Sequence, residues 1–130
     1  MLDRSYEDVV QSISLITQLD ASICKTLAVA SISIQEEAIA ESLFRKVRAH
    51  ISLTENFDEM YSADYYLNYI KDILDMGSIF ERSSSLGALL NRVQDVYEIL
   101  LYNRVHLIAA LNNLRRDDIF NEIRDNYWLN

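Results

Sequence analysis

An all-α fold, an antiparallel bundle of about five helices with a long central helix, follows from three features of the sequence. Leu86, Val93, Leu100, Leu107 and Leu114 recur every seven residues, and Leu89/Leu90, Val96/Tyr97 and Ala110/Leu111 complete an apolar stripe of helical period. The chain has no proline and only two glycines, Gly77 and Gly87, too little turn vocabulary for an all-β or α/β fold. Apolar residues keep helical spacing in each of the other long segments as well.

Taken in order, Ser5 opens the first helix, with Asp8 three residues on as a relative of the capping box. Val9, Ile13, Ile16, Leu19, Ile23 and Leu27 carry it to about residue 31; Asp20 could cap a second segment, but the apolar spacing runs through it. Ser33-Ile34-Gln35-Glu36 is a full capping box and starts the second helix, which buries Ile39, Leu43, Val47 and Ile51 and stops near Thr54, where Thr54-Glu55-Asn56 offers a cap for the next. The third helix, about 57 to 75, holds Asp58, Glu59, Asp64, Asp72 and Asp75 against Lys71, with Tyr61, Tyr65, Tyr66 and Tyr69 between them. Met60, Leu67, Ile70 and Leu74 form its core face, which leaves Tyr61, Tyr65 and Tyr69 as a second stripe. Gly77 ends it, a serine-rich connection follows, and Ser84 or Ser85 caps the central helix.

That central helix, 86 to 114, would run roughly 43 Å at 1.5 Å per residue. Leu101, Val105 and Ile108 lie on another of its faces, so its C-terminal half is apolar nearly all round, and only Asn103 and Arg104 interrupt the ladder. Arg115-Arg116 and Asp117-Asp118 suit the dipoles of an ending and a starting helix, the last being about 117 to 127 with Ile119, Phe120 and Ile123. No repeat or linker divides the chain, so residues 1–130 read as a single helical-bundle domain.

A formal charge of −8 opposes direct binding to nucleic acid or to an anionic membrane and favours a protein partner with a basic surface. The lone Cys24 rules out an internal disulfide and reads as a small core residue. Without an apolar run of membrane-spanning length or a leader-like start, the expected location is cytoplasmic. Metal-binding spacings of His, Cys and Glu are absent, as are phosphate-cradling glycine loops, so no metal and no cofactor is expected.

Arg45-Lys46-Val47-Arg48-Ala49-His50 places a His after an Arg with four residues between them. This spacing resembles the short motif of HEPN-type helical ribonucleases, in which paired Arg and His from two protomers act on RNA. The resemblance implies that Arg45 would stabilise the phosphate and His50 would handle protons or orient the scissile bond. The charge pattern of the second helix, with Glu36, Glu37 and Glu41 ahead of Arg45, Lys46 and Arg48, also follows from the helix dipole alone. His106 sits within the apolar part of the central helix, as an ordinary neutral core imidazole would.

The reading preferred from sequence is therefore a non-enzymatic acidic interaction protein: an adaptor, an assembly factor or an inhibitor of a basic protein. Tyr61, Tyr65 and Tyr69, rimmed by Asp58, Asp64 and Asp72, form one candidate partner-binding strip, and the surplus apolar surface of the central helix forms another. A homodimer is the simplest closed way to cover that surplus. The alternative is a HEPN-like dimeric ribonuclease using Arg45 and His50.

Overall fold

A computed structural model describes residues 5–29, 32–55 and 62–114, and within them the chain is helical with no strand. The helices are α1 (Ser5–Val29), α2 (Ile34–Glu55), α3 (Ala63–Met76), α4 (Ser85–Tyr102) and α5 (Arg104–Leu114), with a single 3-10 turn, Gly77–Ile79, after α3. The expected last helix, 117 to 127, lies outside the described residues.

Cross-helix contacts fix an antiparallel arrangement. Lys46 meets Asp72 while His50 meets Tyr69, so α2 and α3 run in opposite directions. Arg104, at the start of α5, meets Asp64 near the start of α3, and Leu90, near the start of α4, lies over Gly77 just after the end of α3. Tyr6, in the first turn of α1, accepts a hydrogen bond from Asn113 at the end of α5. α1 packs against α2, α4 and α5, and α4 packs against α1, α3 and α5. The centre of the bundle is therefore shared by α1 and α4.

The heptad ladder does what its spacing predicts: Leu86, Val93, Leu100 and Leu107 are all buried, beside Ile16 and Ile23 of α1 and Ile70 and Ile73 of α3. The long central helix is not continuous, however. It breaks at Asn103, where the backbone turns to φ −115° and ψ 39°, and the Asn103 backbone N–H and side-chain amide both donate to the Ile99 carbonyl, at 3.1 and 2.8 Å. An Asn side chain that satisfies a carbonyl of the preceding turn competes with the helical pattern at this position. The helix restarts at once, with the Leu107 N–H donating to the Asn103 carbonyl at 2.9 Å.

One other expectation changes: the cap of α3 is Ser62, whose Oγ accepts the Tyr65 N–H at 3.1 Å, and not Thr54-Glu55-Asn56. As its apolar spacing predicts, α1 passes Asp20 without a break, and the Asp20 side chain is engaged with other helices and not with its own backbone.

Ser84 caps α4, its Oγ accepting the Gly87 N–H at 3.0 Å. This folds the connection 81–84 tightly over the first turn of the helix, so a Cβ on Gly87 would collide with the Glu81 carbonyl oxygen and stand 2.7 Å from the Arg82 Cα. Those are backbone atoms and cannot rotate away. Gly87→Ala should therefore lower stability by about 1–3 kcal/mol despite alanine's better helix propensity. A urea melt checks this; wild-type stability in the variant would mean the connection does not pack there.

Candidate functional site

The polar centre of the bundle is assembled from three helices. Asp20 on α1 accepts from His50 Nδ1 of α2 at 2.6 Å through one carboxylate oxygen, and from the Tyr69 hydroxyl of α3 at 2.8 Å through the other. An ionised carboxylate only accepts, so the imidazole proton at this contact sits on Nδ1. The His50 ring stacks on Tyr69 with centroids 3.7 Å apart and meets Tyr66 edge-on at 5.7 Å. Asp20, His50, Tyr66 and Tyr69 are all buried. Burial pushes the Tyr66 and Tyr69 hydroxyls well above the usual tyrosine pKa, the Asp20 carboxylate adds to the rise at both, and its hydrogen bond raises Tyr69 further.

Cys24, one turn along α1 from Asp20, is half-buried. Its thiol is raised by burial and then by Asp20, with Arg48 pulling the other way. The group rests as a thiol, which is a poor nucleophile. The polar knot thus holds three helices in register and offers no activated nucleophile. Among the described residues, no group of three or more His, Cys, Asp or Glu could hold a metal ion.

Above the knot, between α2 and α3, a cleft of about 420 Å³ is bordered by Lys46, Tyr65, Asn68 and Asp72, with His50 and Tyr69 in its wall. Lys46 and Asp72 bridge it at 3.2 Å. The residues singled out from sequence are distributed as follows. Tyr65 is half exposed, but Tyr69 faces inward with 6% of its surface exposed, so the two do not form one outer stripe. Asp64 pairs with Arg104 at 2.6 Å and Asp72 with Lys46, which neutralises two acids of the proposed rim. Asp58 and Tyr61 lie outside the described residues. Arg45 is at the surface, paired with Glu41 at 2.5 Å, while His50 is turned into the core. Five positions apart on one helix, the two point about 140° away from each other.

Among the described residues, a run of exposed apolar side chains lies elsewhere, on the outer side of α4 and α5. Leu101, Tyr102, Val105 and Ile108 stand in solvent on either side of Asn103, with Tyr102 84% and Val105 77% exposed. On α4 this outer face continues backwards through Glu98 and Asp95 to Asn91 and Gln94. There it meets a groove of about 470 Å³ between the end of α3 and the start of α4. Leu74, Phe80 and Leu90 give the groove apolar walls, while Asp75 on one side and Asp95 on the other bring carboxylates to it.

No protein-family model, curated protein or solved structure matches the chain. The described residues form an antiparallel all-α bundle with an exposed apolar ridge on α4 and α5. Among the described residues, no helix is long and apolar enough to cross a membrane.

Proposed function

We propose that this protein is a non-enzymatic interaction module, an adaptor, assembly factor or inhibitor, that captures a protein with a basic surface on the outer face of α4 and α5. The observation that carries this reading is the ridge of Leu101, Tyr102, Val105 and Ile108. Scattered exposed apolar residues are ordinary, but a contiguous apolar strip at helical spacing on a charged protein marks a contact surface. Tyr102 adds a rigid aromatic of the kind that dominates binding energy at interfaces. Asp95 and Glu98, on the preceding turns of the same helix, set the sign of charge that a partner must match.

The test is a Val105→Glu variant. Val105 is 77% exposed, so its replacement should leave the thermal midpoint close to that of the wild type. In parallel captures from the native host, proteins held by the wild-type bait should be lost from the variant, with affinity for the partner so identified falling at least about tenfold. Retention of the same partners by Val105→Glu, or unfolding of the variant, would refute the reading, because the ridge would then be idle or part of the core.

A further inference from the structure

The outer face of α4 and α5 carries a second heptad register, opposite to the buried one. Asn91, Glu98 and Val105 recur every seven residues, as do Gln94, Leu101 and Ile108, and all six are exposed. The two rows stand three and four residues apart in alternation, the spacing with which one helix receives another. The register is polar at its α4 end and apolar at its α5 end. At the polar end it opens into the groove between α3 and α4, where an arginine or lysine stem could lie along Leu74, Phe80 and Leu90 with its charged head between Asp75 and Asp95. Arg82, also in the groove, opposes them with a single positive charge, and Glu98 stands one turn beyond Asp95.

From this arrangement, and resting on the interaction reading above, we infer that the occupant is one amphipathic basic helix of another protein, laid along α4 and α5 with its apolar part over Leu101, Val105 and Ile108 and a basic side chain anchored in the groove at Asp75 and Asp95. From Asn91 to Ile108 the face would span roughly 26 Å along a straight helix, and the turn at Asn103 makes that an upper bound, so about 17 or 18 residues of helix cover it at most. Charge complementarity selects this occupant over a second copy: each copy carries a formal charge of −8, and pairing would bring two such charges together.

The probe is a synthetic 18-residue amidated helical peptide with leucines at the a and d positions and lysines elsewhere, beside its counterpart with glutamate in place of each lysine. Binding is read by fluorescence anisotropy at low and high salt, with the oligomeric state of the free protein followed by sedimentation. The wild type should bind the basic peptide and not the acidic one. Asp75→Asn with Asp95→Asn should weaken binding at least tenfold and flatten its salt dependence. Glu7→Gln with Asp8→Asn removes the same charge at the opposite end of the bundle and should change binding less than twofold. Equal losses in the two double variants would reduce the effect to net charge and overturn the inference. If Val105→Glu abolishes binding while the groove variant has no effect, the ridge reading stands and the basic anchor falls. A stable dimer that excludes the peptide would make a second copy the occupant and equally overturn it.

Discussion

Asp20→Ala should lower the unfolding free energy by about 2–5 kcal/mol, because two buried donors lose their common acceptor and each costs about 1–3 kcal/mol when left unsatisfied. The carboxylate accepts from two different helices, His50 of α2 and Tyr69 of α3, while belonging to α1 itself. Truncation leaves the His50 Nδ1–H and the Tyr69 hydroxyl facing a void in the core, where neither regains the water it lost on folding. Asp20→Asn should be milder, about 1–3 kcal/mol, because one oxygen still accepts from Tyr69 and only the His50 contact must reverse its polarity. Urea denaturation of the three proteins gives the comparison. If Asp20→Ala stays within about 1 kcal/mol of the wild type, the knot does not hold these helices together.

Raising the pH should unfold the protein cooperatively. In the unfolded chain Tyr66 and Tyr69 ionise near their ordinary value of about 10, whereas in the bundle burial and the Asp20 charge hold both pKa values well above it. Below pH 10 both states keep both protons and the stabilisation is complete. Above it the unfolded state has released protons that the folded state retains, so stability falls by about 1.4 kcal/mol per pH unit for each tyrosine, until the folded-state hydroxyls themselves titrate. Two such groups can exhaust a typical domain stability within a few pH units. Tyrosinate absorbance and helical circular dichroism should therefore change together at alkaline pH, and Tyr69→Phe should reduce the slope by about half. Complete ionisation of every tyrosine near pH 10 with the helices intact would show that Tyr66 and Tyr69 are not buried as described.

Much of the fold is legible in the sequence because apolar spacing speaks directly of burial. Leu86, Val93, Leu100 and Leu107 sit in the core, and Ser84 caps α4. The break at Asn103 shows in the sequence as a polar interruption of the ladder, yet whether such a residue snorkels at an unbroken helix or bends it depends on which carbonyl its amide reaches. The polar knot left a subtler signal. Asp20 falls in the same helical register as Ile16, Ile23 and Leu27, His50 follows Leu43 and Val47, and Tyr69 is flanked by Tyr66 and Ile73. Three polar residues at three core positions imply that they meet, but each alone also reads as a cap, a motif or a stripe, and only the packing of α1, α2 and α3 joins them. The tyrosines of α3 divide for the same reason: Tyr65 and Tyr69 share a helical row, but the neighbouring helices cover one and leave the other half exposed. On α5, by contrast, Val105 and Ile108 have the composition of a core face and yet both are exposed.

The most direct measurement is a backbone amide NMR titration of the folded protein with the basic helical peptide. Saturable shifts gathered along Asn91, Asp95, Glu98, Tyr102, Val105 and Ile108, and weak elsewhere, are the expected result for capture on the outer face of α4 and α5. Shifts centred instead on Lys46, Tyr65 and Asp72, or the absence of any saturable shift, would contradict it.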